Sequence, residues 1–215
     1  ELPSTMAWTA YGTNSSGYAQ AVAIGNMLQN HYGTSVRILP GDNYVSRMTP
    51  LKQGRVDLCA CGIASYYGAE GVMMFANRDW GPQPIRVITT STASFGLSLA
   101  VAGDLGVETP ADLQGRRLGA PPPDGAWAQF PVFAAEQGLD MSTITIEPVG
   151  FPTREPMLAA GEVDAVTGFS FTSSLSTIRL GVPEDDIVVM LMADYGVELY
   201  GNVIIVNTDW AEANP

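Results

Sequence analysis

The chain is poor in the side chains on which most catalytic and metal chemistry depends: 215 residues hold one histidine, two cysteines and one lysine, and Lys and Arg together number 10 against 22 Asp and Glu. Each shortage excludes a class. His31, the only histidine, falls at the end of a helical pattern, where the helix dipole accounts for it, so a Ser-His-Asp or Cys-His arrangement has no base. Gly168-Phe169-Ser170-Phe171-Thr172 lacks the spacing of a nucleophile elbow. Cys59 and Cys61 have no second pair and no histidine at zinc spacing. Their one-residue separation suits a disulfide poorly, which predicts free thiols buried in a strand. Glu184-Asp185-Asp186, after Pro183, reads as a solvated loop rather than a calcium site. Basic residues are scattered and the net charge is −12, so no basic stripe is available to nucleic acid. No apolar run reaches the roughly eighteen residues of a membrane span. The glycine spacing matches neither a dinucleotide fingerprint nor a P-loop. These absences predict no catalytic residues, no metal and no cofactor.

What is present is a folding chain. Its 46% apolar and 15% charged composition supports a sizeable core, not disorder, and its length allows one large or two small domains. Apolar runs at 7–11, 35–39, 56–60, 85–90, 97–102, 117–120, 143–147, 163–167, 186–192 and 202–206 alternate with helical-period segments, which predicts an α/β fold with largely parallel sheets. Asn14, Ser15 and Ser16 offer N-cap oxygens to a first helix that ends at His31 and Gly33. Pro131, inside a second helical pattern that follows Asp124, predicts a later start or a kink there.

One internal echo organises the chain. Leu51-Lys52-Gln53-Gly54-Arg55-Val56-Asp57 and Leu158-Ala159-Ala160-Gly161-Glu162-Val163-Asp164 each read as a short helix, a glycine able to turn left-handed, and a Val-Asp pair opening a buried strand. Two copies about a hundred residues apart predict two α/β domains of like topology. If the long apolar segments 97–102 and 200–206 carry the chain out and back, the second domain is an insertion held by two hinge strands around a ligand cleft.

In open α/β sheets, ligands sit beyond the carboxyl ends of the strands. There the sequence places Thr13-Asn14-Ser15-Ser16-Gly17-Tyr18, a hydroxyl-rich turn at a positive helix end, suited to a carboxylate or phosphate or simply to capping. Ser65, Thr90, Ser91, Thr167 and Phe169 follow other strands, and Trp127 and Tyr195 are aromatic walls or core. Arg47 and Arg154 are the arginines placed to meet an anion. Asp124 is either a solvated N-cap or a partner for a ligand ammonium or hydroxyl.

Several of these blocks resemble the TAXI solute-binding receptors of TRAP-type transporters: Gly12 to Tyr18, Leu51 to Asp57, Ala69-Glu70-Gly71-Val72, Trp80-Gly81-Pro82-Gln83-Pro84, and Glu108-Thr109-Pro110-Ala111-Asp112-Leu113-Gln114-Gly115-Arg116-Arg117. The last block is also similar to binding proteins of nitrate, sulfonate and thiamine-precursor ABC importers, and Gly161 to Ala165 and Val182 to Asn202 lean the same way. The resemblance implies an α/β, type II periplasmic binding protein-like fold with lobe one at 1–98 and 202–215, lobe two at 99–201, and a two-strand hinge. It implies a periplasmic or extracytoplasmic receptor, its signal peptide removed, that binds without catalysis. The solute would be a small anion or zwitterion, such as a dicarboxylate or glutamate, passed to the membrane permease subunits of a TRAP-type transporter or, alternatively, of an ABC importer. By this resemblance Thr13, Asn14, Ser15, Ser16 and Gly17 carry over as binding candidates, with Tyr18 of the same turn beside them. Asp124-Gly125-Ala126 departs from the family's Gly-Ser-Gly-Thr turn, which argues against a simple dicarboxylate. Family members continue beyond the point reached at Pro215, so a truncated receptor with an apolar face of lobe one exposed is expected. An enzyme on the same fold, such as a pyrimidine-precursor synthase or a deaminase of porphobilinogen type, would need a histidine or cysteine cluster or a cofactor-bearing cysteine that the sequence does not supply.

Overall fold

The computed structural model describes residues 2–90, 96–199 and 201–214. The chain opens with β1 (Thr5–Ala10), α1 (Ser16–Tyr32), β2 (Ser35–Pro40), α2 (Tyr44–Lys52), β3 (Leu58–Cys61), α3 (Ala64–Glu70) and β4 (Ile85–Thr90). It continues through β5 (Leu97–Ala102), β6 (Arg117–Ala120), α4 (Gly125–Glu136), β7 (Thr145–Pro148), α5 (Arg154–Ala159), β8 (Ala165–Phe169), α6 (Ser170–Arg179) and β9 (Ile187–Leu191), then closes with β10 (Val203–Asn207) and α7 (Thr208–Ala213). Two compact units result: Glu1–Ser91 with Asn202–Pro215, and Thr92–Gly201.

The first unit holds a sheet of order β2-β1-β3-β10-β4 and the second a sheet of order β7-β6-β8-β5-β9. The two orders match strand for strand. In each, three strands joined by helices run parallel, and the fourth position is taken by a strand from elsewhere in the sequence, β10 or β5, antiparallel to both neighbours. The sheets are therefore mixed rather than largely parallel. Apolar runs alone do not report strand direction, because a central strand covered on both faces reads the same either way.

The echo in the sequence is an echo in space. Gly54 and Gly161 both adopt positive φ, 64° and 70°, after α2 and α5. Asp57 then accepts a 2.7 Å hydrogen bond from Ala7 N–H on β1 while its own N–H donates to Ala7 O. Asp164 does the same to Arg117 on β6: Oδ2 accepts from Arg117 N–H at 2.8 Å, and Asp164 N–H donates to Arg117 O. One Asp thus fixes the register of two neighbouring parallel strands, at a net gain of about 1 kcal/mol per hydrogen bond.

Alternation along the strands divides the first unit's core in two. Leu58, Ala60, Ile204 and Val206 pack with Trp8 and Ala21 on the α1 face, while Cys59, Cys61, Val203 and Ile205 pack with Met48, Leu51 and Phe75 on the other. This alternation also corrects the reading of the cysteines as free thiols. Residues i and i+2 of a strand point the same way, the Cα atoms of Cys59 and Cys61 are 5.5 Å apart, and the two are joined as a disulfide. Both are fully buried, as expected of a strand interior. The second unit's core is divided likewise: Leu99, Leu118, Phe130, Phe133 and Met192 pack on one face of its sheet and Ala100, Leu158, Val163 and Val166 in a separate cluster, each large side chain worth about 1.5–3 kcal/mol on burial. α4 starts at Gly125 and passes through Pro131 rather than starting after it. Among the described residues no helix is long and apolar enough to cross a membrane.

Candidate functional site

In the first unit, the loops after β1 and β2 meet at the carboxyl ends of the parallel strands. Ser15 is the N-cap of α1: its hydroxyl accepts from Tyr18 N–H at 3.2 Å and donates to Gly12 O at 2.7 Å. Capping thus occupies that hydroxyl. Thr13 and Asn14 stand exposed beside it, and Ser16 and Tyr18 are half-buried in the first turn, whose leading N–H groups have no helical acceptor.

Arg47, on α2, is 1% exposed. Its guanidinium lies 3.9 Å from the Tyr11 ring centroid and 5.3 Å from that of Tyr44, and its Nη1 donates to Gly41 O at 3.0 Å. Nε and Nη2 are buried without a partner. Among the described residues no carboxylate pairs with it within salt-bridge distance. Burial holds this guanidinium below its ordinary pKa range, opposed by the charges of Tyr11, Tyr44 and Asp42. Arg47 on α2 and the N-terminal turn of α1 thus stand at the same strand ends of the first unit.

Ser65 and Thr90 do not join that pair. Ser65 donates to Gly62 O at 2.7 Å at the start of α3. Thr90 lines a mainly apolar hollow of about 250 Å³ beside α1, with Gln20 and Asn202, which share a 2.8 Å hydrogen bond. Ser91 lies outside the described residues.

The second unit brings together Asp124 and Thr167 and adds residues that the sequence reading passed over. Asp124 precedes α4, yet it is 3% exposed and its side chain makes no cap, so the solvated N-cap does not hold. Its Oδ2 accepts from Thr167 Oγ1 at 2.7 Å and lies 3.8 Å from Arg154 Nη1. Arg154 donates through Nε and Nη2 to Glu155 Oε1 at 2.8 and 2.5 Å, and Ser173 Oγ approaches the same oxygen at 3.3 Å. Glu155 and Ser173 were missed because an Arg-Glu pair after Phe151-Pro152 reads as solvated surface. The usable signal was its place after β7, a strand end. Trp127 stacks on Phe130 at 5.8 Å, and Trp127, Phe169 and Tyr195 all pack against the unit's core. Among the described residues no group of three or more His, Cys, Asp and Glu could hold a metal.

The paired mixed sheets and their strand-end loops define an α/β protein of type II periplasmic binding protein-like architecture. The chain belongs to the NMT1/THI5 like family, whose model matches residues 30–215. Among solved structures, it resembles the periplasmic aliphatic sulphonate binding protein SsuA from Escherichia coli with a TM-score of 0.69 at 17% identity, over 99% of this chain and 64% of that one. The alkanesulfonate-binding protein SsuA from Xanthomonas axonopodis pv. citri, bound to MOPS, gives 0.64 at 18% identity, over 99% and 68%. An ABC uptake transporter substrate binding protein from Streptococcus pneumoniae with bound histidine gives 0.68 at 13% identity, over 98% and 82%. At such identities the likeness is one of fold. The chain thus spans just under two thirds of the first of these structures. No curated protein matches the sequence. The TAXI resemblance is a finer assignment than the family match supports by itself.

Proposed function

We propose that this chain belongs to an extracytoplasmic solute receptor that captures a small anionic or zwitterionic organic solute, without catalysis, and delivers it to membrane permease subunits. The observation that carries the reading is Arg47. A buried guanidinium with two nitrogens, Nε and Nη2, lacking acceptors and, among the described residues, no carboxylate within salt-bridge distance is costly to maintain, and an incoming carboxylate or sulfonate supplies a bidentate partner. The α1 turn at Thr13, Asn14 and Ser16 adds N–H and hydroxyl donors at a positive helix end. On a chain of net charge −12 an anion gains little from long-range attraction, so these local donors would hold it. The two units are read as lobes at 1–98 with 202–215 and at 99–201, joined by two crossing segments.

A thermal-shift and calorimetric panel of carboxylates, sulfonates and amino acids tests the proposal, since a ligand that binds only the native state raises Tm. At least one probe is expected to stabilise the protein, and Arg47→Met, which keeps an apolar chain between the Tyr11 and Tyr44 rings, to weaken its binding at least tenfold. Unchanged affinity in Arg47→Met would move the anion elsewhere; no shift with any probe would remove the receptor reading.

Two partners are in competition. The TAXI resemblance supports a TRAP-type transporter, whereas the family match and neighbours described as sulphonate-binding or ABC uptake proteins favour an ABC importer. The adjoining genes discriminate: a large fused permease supports the first, an ATPase with a permease the second.

A further inference from the structure

Aromatic rings stand beside Arg47 where a carboxylate would be expected. Its guanidinium carbon lies 3.9 Å from the centroid of the Tyr11 ring and 5.3 Å from that of Tyr44, and among the described residues no carboxylate comes within salt-bridge distance. A ring attracts a cation through its quadrupole but does not saturate the N–H donors as a carboxylate does. Nη1 is spent on Gly41 O at 3.0 Å, and Nε and Nη2 stay buried and unfilled. With a carboxylate in place of the rings, an incoming anion would have to displace it. With rings there, the charge is partly compensated and the donors remain available.

Tyr11 is tied to the other half of the site as well. It is half-buried and follows β1 directly, and its ring lies against Gly17 in the first turn of α1. A Cβ at Gly17 would stand 2.2 Å from the ring's Cδ2 and 2.6 Å from its Cε2, so no side chain fits there. Gly17 is not among the glycines of positive φ, and glycine is a weak helix former, so neither its backbone nor the helix calls for it. The ring does. The adjoining loops close as tightly at two further points: a Cβ at Gly12 would lie 2.7 Å from Asp42 Oδ1, and one at Gly41 2.8 Å from Arg47 Cγ.

We propose that Tyr11 is a positioning residue of the anion site: its ring, seated on Gly17, holds the Arg47 guanidinium beside the first turn of α1 with Nε and Nη2 open to the solute. This rests on the receptor reading above and deepens it. Tyr11 acts through Arg47, and Gly17 acts by leaving room for the ring. The sequence reading counts Tyr11 as the last residue of an apolar run, 7–11, because nothing local to it shows that a guanidinium from α2 will lie against it.

Calorimetry on the chain as it stands, with L-glutamate, succinate and ethanesulfonate as probes, tests the inference. Tyr11→Leu, checked for fold by circular dichroism, is expected to weaken whichever probe binds by about tenfold, and Tyr11→Phe, which keeps the ring, to stay within about twofold of the parent. A merely structural ring would lower Tm in Tyr11→Leu and leave the affinity of the folded protein unchanged. In Arg47→Lys, whose ammonium keeps the charge but has no fork to hold open, Tyr11→Leu should cost less than in the parent. An equal loss in both backgrounds would show that the ring serves the solute and not Arg47, and would overturn the positioning role. Parental affinity in folded Tyr11→Leu would overturn it too, with the receptor reading intact where Arg47→Met still loses binding. Should Tyr11→Leu fail to fold, Gly17→Ala decides: it drives the ring from its seat and is expected to weaken binding, and parental affinity there would overturn the inference. Binding of none of the three probes by the parent would count against the receptor reading and overturn this inference with it.

Discussion

Asp57 and Asp164 occupy the same place in the two halves of the chain and make the same pair of hydrogen bonds to the strand beside them. Asp164 adds a bidentate contact with Arg117, Nη2 to Oδ1 at 2.8 Å and Nε to Oδ2 at 3.3 Å, and this side-chain bond holds its carboxyl below the ordinary carboxylate range. A carboxylate whose folded-state pKa is depressed contributes stability above its unfolded value of about 3.9, and that stability is lost as pH falls through the folded-state pKa. Arg117 is 44% exposed at its side chain, so solvent screens the pair. Asp164→Asn is therefore expected to cost about 1 kcal/mol at pH 7, or about 2–4 °C in Tm. The gap from the parent should close as the melt is repeated towards pH 2; an equal gap at both pH values would show that the charge contributes nothing. At this scale the sequence revealed Asp164 through its repeat, and Asp124 and Arg47 through their positions after strands. Glu155 and Ser173 stayed hidden because their role depends on which buried neighbours they meet, and sequence spacing carries no such information.

At the scale of elements, the helix-to-strand turns were the most legible features, since a left-handed residue followed by a Val-Asp pair leaves a local signature. A Cβ added to Gly54 or Gly161 meets nothing within 4 Å, so only the backbone opposes a side chain there. Gly161→Ala should cost about 1 kcal/mol, the usual penalty for an L-residue in that region, and Gly161→Asn less, because Asn tolerates it. Denaturant midpoints measure both, and equal losses for Ala and Asn would place the cost elsewhere than in φ. The Thr109-Pro110-Ala111-Asp112 block is equally local: Asp112 Oδ2 accepts from the N–H groups of Glu108 and Thr109 and from the Thr109 hydroxyl, closing a short 3-10 turn. These bonds, the Thr109 hydroxyl first, hold the Asp112 carboxyl below its ordinary range. That block is expected wherever such a turn precedes a strand, so it identifies an architecture better than a ligand. Strand direction was not legible, since β5 and β10 take their antiparallel places only when distant segments fold against them.

For the whole molecule, charge and exposed surface oppose one another. β4 is an edge strand paired only with β10 among the described residues, and Val87 and Ile88 are 56% and 54% exposed on it. Such an edge promotes association, while a net charge of −12 resists it by repulsion that salt screens over about 8–10 Å at physiological strength. The chain is expected to self-associate more as salt is raised, and Ile88→Lys to suppress that association. Light scattering across a salt series decides it; Ile88→Lys associating as readily as the parent would exonerate this edge.

The alternation of apolar runs and one repeated turn were enough to specify two like α/β units, because local backbone preference acts over a few residues. Whether the two cysteines share a strand face, whether Arg47 finds a counter-ion, and whether Asp124 caps its helix or turns inward were decided by the tertiary structure alone. Burial and partner are properties of residues brought together from far apart, and the cost of an unpaired buried charge exists only once they have been.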